Sequence, residues 1–184
     1  MRFIIGFRII RRFEGLSSRV LDKIISMNIR KAISEDTLLL STLCMDVQQL
    51  HAQSHPSIFK TPQSPDFAFS FFEKMLQDDT MYIYIAEENG QALGYIFFKV
   101  VERDENPFLF ARHYLLIDQI SVRPEAQGQG VGKALIQQVE VVACELGISS
   151  IHLGSWDFNT SAHGFFERMG YEQRYFEFWK MLED

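Results

Sequence analysis

The chain has 184 residues, 47% of them hydrophobic, and a formal net charge of −6, enough for one core of ordinary size and one α/β domain. No run approaches about 18 uninterrupted apolar residues, so no helical membrane span is expected. The acidic balance argues against nucleic acid as a partner and mildly for a cationic one.

The first 26 residues differ from the rest. They hold Arg2, Arg8, Arg11, Arg12, Arg19 and Lys23 against Glu14 and Asp22, which leaves 12 basic and 22 acidic side chains for the remainder. A secretory signal is not expected, because Arg8 ends the short apolar run that starts at Phe3. An Arg-rich targeting or membrane-surface segment fits the composition. The simpler reading is an upstream extension, 1–26, outside a working fold of 27–184, because "MNIRKAISEDT" is already a complete strand-then-helix start.

In chain order, Asn28 to Ile33 reads as a short strand, and Ser34 before Glu35 and Asp36 as an N-cap with an acidic first turn. Leu39, Leu43, Val47 and Leu50 keep helical spacing to about Gln53. Pro56, Pro62 and Pro65 break the next stretch, and Pro65 can open a second helix with Phe69, Phe72 and Leu76 on one face. Its Phe-rich run is core packing, the wall of an apolar acceptor site, or a dimer contact. Met81 to Ala86 alternates as a strand, Asn89-Gly90 marks a hairpin turn, and Ala92 to Val101 returns. A long strand spans about Arg112 to Val122. Val131, Leu135, Val139, Val142 and Leu146 form the apolar stripe of a helix that Gly147 ends. Ser149 to Ser155 reads as a fifth strand, Thr160 to Met169 as a short helix stopped by Gly170, and Tyr171 to Met181 as a final strand. The order β-α-α-β-β-β-α-β-α-β describes one mixed sheet with helices on its faces. Cys44 and Cys144 both fall in helical segments with no Cys or His at ligand spacing. They read as buried thiols of a reducing, cytoplasmic compartment, and no metal site is expected.

Between the fourth strand and its helix lies "SVRPEAQGQGVGKALIQ". A strand, a Gly-rich turn and a helix N-terminus form a physical device for gripping phosphate: amides point inward, and glycines remove the Cβ atoms that would hold an anion away. The spacing fits neither the Gly-x4-Gly-Lys-Ser/Thr loop, since Ala134 follows Lys133, nor Gly-x-Gly-x-x-Gly. A pyrophosphate ligand and a bare strand-to-helix connection both remain open on the turn alone.

Here the residues carry a family likeness. "IDQISVRPEAQGQGVGKALIQQVEVVACELG" and "IHLGSWDFNTSAHGFFERMGY" resemble the core of the GNAT superfamily of N-acetyltransferases. Gln127-x-x-Gly130-x-Gly132 is similar to that family's Arg/Gln-x-x-Gly-x-Gly/Ala signature. The resemblance implies an acetyl-CoA co-substrate whose pyrophosphate lies on the amides of Gln127, Gly128, Gln129, Gly130, Val131, Gly132 and Lys133. Its pantetheine arm would run along Ile120, Ser121 and Val122, in the gap between the fourth and fifth strands. It also implies contacts from Asn159, Ala162, Phe165 and Phe166. Asn159 reads in two ways, as the N-cap of the last helix and as an amide on the pantetheine. Phe166 departs from the pattern, because many family members carry there a Tyr proposed to protonate the departing thiolate. Tyr114 and Tyr171 are replacement candidates, Tyr171 the preferred one; alternatively the thiolate leaves unassisted, as a thiol with a pKa near 8.5 can.

Acetyl transfer to an amine needs something to collect the amine's proton. Asp118 interrupts the apolar "YLLIDQISV" and, on strict alternation, shares a face with Leu116, Ile120 and Val122. Burial there would raise its pKa and suit it to act as base. A structural carboxylate is the competing reading, and a β-bulge would expose Gln119 instead. His51 and His55 border the expected acceptor loop and read as solvated or capping histidines before substrate contacts. The expected activity is direct acetyl transfer from acetyl-CoA to a primary amine of a small molecule or peptide. The alternatives are a protein N-terminal or lysine acetyltransferase and a non-catalytic acyl-CoA sensor. A homodimer is a further expectation, with "YFEFWKML" suited to pairing between subunits.

Overall fold

The computed structural model describes residues 27–182, so the expected extension 1–26 lies outside the described residues. The chain divides between Leu153 and Gly154 into two compact units. No described helix is long and apolar enough to cross a membrane.

The first unit is a five-stranded sheet in the order β1-β2-β3-β4-β5, with β1 Asn28–Lys31, β2 Met81–Glu88, β3 Gln91–Arg103, β4 Arg112–Val122 and β5 Ile151–Leu153. Neighbours pair antiparallel through β4, and β5 joins β4 in parallel. The β2–β3 hairpin closes where Asn89-Gly90 allows it: both residues have positive φ, 52° and 77°, the backbone a tight primed turn requires. Helix α1, Thr37–Ser54, and α2, Phe69–Leu76, cover one face. There Leu40, Leu43, Cys44 and Phe72 pack with Ile83, Ile85, Tyr95 and Phe97. The alternate side chains of β3, Ile96 and Phe98, point to the other face, and both are buried. Helix α3, Val131–Glu145, packs on β2, β3 and β4 through Val131, Leu135, Ile136, Val139, Val142 and Ala143. Gly147, at φ 69°, ends it as expected. Leu146, by contrast, is exposed.

Further expectations need correction in this unit. Ser34 caps no α-helix: Ser34–Asp36 is a 3-10 turn, and the Asp36 carboxylate accepts the Ile33 N–H at 2.9 Å while ion-paired to Arg30. Pro65 does not open α2, which starts at Phe69. Residues 64–68 instead form turns, with Phe67 N–H on Ser64 O and Phe69 N–H on Asp66 O, pinned where Ala68 N–H donates to Ser41 Oγ at 3.0 Å. Cys44 is buried but Cys144 is exposed, because it follows the buried pair Val142 and Ala143 onto the outer side of α3.

The second unit holds α4, Thr160–Arg168, which ends before Gly170 at φ 89°. The expected final strand over Tyr171 to Met181 is absent: no strand is formed within 171–182. Alternating aromatics make a strand only where a partner edge supplies the ladder, and here Tyr175, Phe176, Phe178 and Trp179 are all exposed. In the first unit, the fifth strand is shorter than the expected Ser149 to Ser155, being confined to Ile151–Leu153.

Candidate active site

The glycine turn has the geometry its composition predicts. After β4 the chain makes a 3-10 turn, Pro124–Ala126, extends at Gln127, and passes through Gly128 and Gly130 at φ 72° and 91°. A Cβ at either glycine would meet nothing within 4 Å, so the turn is open at both positions. The first hydrogen bond at the start of α3 runs from Ala134 N–H to Gly130 O at 3.0 Å. The N–H groups of Val131, Gly132 and Lys133 precede it and carry the partial positive charge of the helix start. No acidic residue lies in that first turn. Gln127 Nε2 donates back to Val122 O at 3.1 Å, tying the turn to the end of β4. These features fit an anionic group.

The β4 edge fits the rest of such a ligand. Its parallel pairing with β5 covers only Leu115, Leu116 and Ile117, while β4 runs on to Val122. Ile120, Ser121 and Val122 therefore extend past the β5 ladder, in the gap expected between the fourth and fifth strands. Ser121 is buried, and its Oγ donates to Leu43 O at 2.9 Å, fixing this strand end against α1.

Asp118 is where the expectation fails. The β3–β4 register steps from Phe97↔Gln119 to Phe98↔Ile117, which leaves Asp118 as the extra residue of a bulge. The bulge switches faces: Leu116, opposite Lys99, lies on the α1 side, whereas Ile120, opposite Ile96, lies on the α3 side. Asp118 thus shares no continuous face with Leu116, Ile120 and Val122, and its side chain is exposed. The anticipated burial is absent.

The bulge brings up a group that the motif reading passed over. Tyr95, fully buried on β3, donates its hydroxyl to Gln119 Oε1 at 2.7 Å, and Cys44 Sγ lies 3.9 Å from the same oxygen. Burial pushes the Tyr95 phenol well above its usual range, with the neighbouring Cys44 and the Asp118 charge adding to the shift. Burial likewise raises the Cys44 thiol. The signal was present in "ALGYIFFKV": a hydroxyl inside a buried strand must find a partner.

Within the second unit, Asn159 does cap α4, its Oδ1 accepting the Ala162 N–H at 3.3 Å. Phe166 is buried, with Phe165 5.3 Å and Tyr171 5.8 Å away between ring centroids. Tyr171 N–H donates to Phe166 O at 3.0 Å, so the candidate proton donor sits beside Phe166. Tyr114 does not suit that task. It stacks on His152 at 4.0 Å, six residues and about 20 Å up β4 from Ile120 at ~3.3 Å per residue. His51 Nδ1 meets Val47 O at 2.6 Å, and His163 Nε2 meets Trp156 O at 2.9 Å. Among the described residues no cluster of His, Cys, Asp or Glu could hold a metal ion.

A mixed sheet whose fourth strand outruns the fifth and feeds a glycine turn at a helix start defines an α/β fold with an open strand end beside a helix N-terminus. The chain belongs to the acetyltransferase (GNAT) family, whose model matches residues 44–171. Its class is therefore that of an acyl-transferring enzyme. It is 26% identical over 147 residues to an uncharacterized N-acetyltransferase of Bacillus subtilis (strain 168), covering 80% of this chain and 91% of that one. In fold it is similar to a Bacillus halodurans protein solved as a tetramutant, with a TM-score of 0.79, 20% identity, and coverage of 84% of this chain and 99% of that one. It is also similar to an aminoglycoside N-acetyltransferase solved in complex with CoA, with a TM-score of 0.60, 20% identity, and coverage of 84% and 94%.

Proposed function

We propose that the protein transfers the acetyl group of acetyl-CoA directly to a primary amine of a small molecule or peptide. The observation that carries this reading is the continuous run from the β4 end at Ile120 to Val122, beyond the β5 ladder, into the open glycine turn and the N–H groups of Val131, Gly132 and Lys133 at the start of α3. The edge suits the amide-bearing pantetheine arm, and the turn suits the pyrophosphate.

In the reaction the amine nitrogen attacks the thioester carbonyl, the C–N bond forms, and the C–S bond breaks with its electron pair leaving on sulfur. Asp118, exposed at the bulge, attracts the acceptor's ammonium, and the proton that the amine sheds passes to water. The departing thiolate takes up a proton from water, since Phe166 has no group to supply one. No protein nucleophile takes part.

The test is thiol release from acetyl-CoA with polyamines, amino acids, aminoglycosides and short peptides, on wild type, Asp118→Asn and Tyr171→Phe. Turnover with one acceptor class, lowered about tenfold or more in Asp118→Asn at unchanged acetyl-CoA affinity, is the expected result. A protein that binds no acetyl-CoA by calorimetry would overturn the reading. Turnover with peptides alone would assign the acceptor as protein.

A further inference from the structure

The glutamine at the bulge carries an inference about the acceptor, resting on the acetyl-transfer reading above. Gln119 is half-buried, next in sequence to Asp118 and immediately before the Ile120 to Val122 edge. Its carboxamide oxygen is held from two sides: the Tyr95 hydroxyl donates to it at 2.7 Å and the Cys44 thiol lies 3.9 Å away. Both holders are themselves fixed. Tyr95 is fully buried and lies edge-on to Phe72 at 5.6 Å, and Cys44 is buried on α1 among Leu40 and Leu43.

A carboxamide has one acceptor end and one donor end. With the oxygen turned toward Tyr95 and Cys44, the NH2 group faces the other way, and its two N–H groups are left for a ligand. Beside it, the exposed carboxylate of Asp118 offers the complementary chemistry, an acceptor for a cation. The bulge sets these two consecutive residues opposite the single Phe97.

We propose that Gln119 is a specificity-determining residue whose fixed NH2 group selects amine acceptors bearing a carbonyl or carboxylate oxygen near the amine, as amino acids and peptides do, over simple alkyl diamines. Tyr95 acts through Gln119 as a positioning residue, preventing the carboxamide from turning over.

Matched acceptors test this: L-lysine against cadaverine, and glycinamide against ethylamine, each assayed by thiol release with wild type, Gln119→Ala, Gln119→Glu and Tyr95→Phe. Wild type is expected to favour the oxygen-bearing member of each pair by about tenfold in kcat/KM, the value of one good hydrogen bond to a substrate. In Gln119→Ala the preference collapses through KM, with acetyl-CoA affinity by calorimetry unchanged. Gln119→Glu turns the preference toward cadaverine, because a carboxylate repels the lysine carboxylate and attracts the diamine. Tyr95→Phe, which keeps the buried ring, weakens the preference with a smaller loss. Turnover with no preference in wild type, or a preference that survives in Gln119→Ala, would overturn this inference while leaving acetyl transfer intact. Binding without thiol release from any amine would refute acetyl transfer, and this inference with it.

Discussion

Gly94 of β3 passes the main-chain carbonyl of Ser121 on β4 so closely that no side chain fits between them: a Cβ at position 94 would collide with the Ser121 oxygen and stand 3.1 Å from Val122 Cα. The obstacle is backbone on both counts, so it cannot swing aside as a side chain would. The strand end beyond the bulge, expected to face the coenzyme, is set by this contact together with the Ser121 to Leu43 hydrogen bond. Gly94→Ala is predicted to force β3 and β4 apart, costing about 1 to 3 kcal/mol of stability, the usual range for overpacking. Acetyl-CoA binding is expected to weaken with it. A thermal melt and a calorimetric titration on the same sample check both effects, and an unshifted melting temperature would contradict the close approach.

The turn glycines make a separable prediction. Gly130 stands at φ 91° with open space where a Cβ would go. Gly130→Ala therefore adds backbone strain of about 1 to 2 kcal/mol and places a methyl group on the proposed phosphate side of the turn. The affinity for acetyl-CoA should fall at least tenfold. Comparison with Gly147→Ala isolates the ligand effect, since Gly147 has φ 69° and similarly open space but ends α3 instead of starting it. Gly147→Ala should lose comparable stability and keep the affinity; equal affinity losses in the two variants would count against a phosphate site.

Several elements were legible because a local rule fixed them without help from tertiary contacts. Asn89-Gly90 encodes its own hairpin, and Gly147 and Gly170 stop their helices by accepting positive φ. The strand-turn-helix unit around Gln127 to Lys133 follows from composition and spacing. Asp118 misled because alternation counts residues, whereas the sheet counts ladder partners: one unpaired residue moves Gln119 and Ser121 to the α1 side and leaves Asp118 in solvent. The sequence admits a bulge, but nothing local in "LIDQIS" reveals which residue is extra. Tyr171 to Met181 failed for a related reason, since an alternating pattern describes what a strand would bury and not whether an edge receives it. Tyr95 escaped notice because a hydroxyl in an apolar run acquires meaning only when its partner, 24 residues away, is known.

The Arg30 ion-pair system yields the pH prediction. Arg30 reaches Asp36 with Nη1 to Oδ2 at 2.6 Å and Nη2 to Oδ1 at 2.8 Å, and reaches Glu87 with Nε to Oε1 at 2.9 Å. These contacts tie β1 and the entry to α1 onto β2. The guanidinium bonded to it holds the Asp36 carboxyl below the usual carboxylate range, helped by the Ile33 N–H and opposed by burial. A carboxylate whose folded pKa is depressed gives its full stabilisation above the unfolded pKa, about 3.9 for Asp. That stabilisation drains away as pH falls from there through the folded pKa. The urea midpoint should therefore decline steeply below about pH 4. Asp36→Asn should flatten part of that decline and cost about 1 to 3 kcal/mol at neutral pH, because the Asp36 side chain is only 10% exposed and its loss leaves Arg30 short of one partner. Urea melts from pH 3 to 7 on both proteins decide the matter: curves that stay parallel across the range would show that the acid loss of stability arises from other carboxylates.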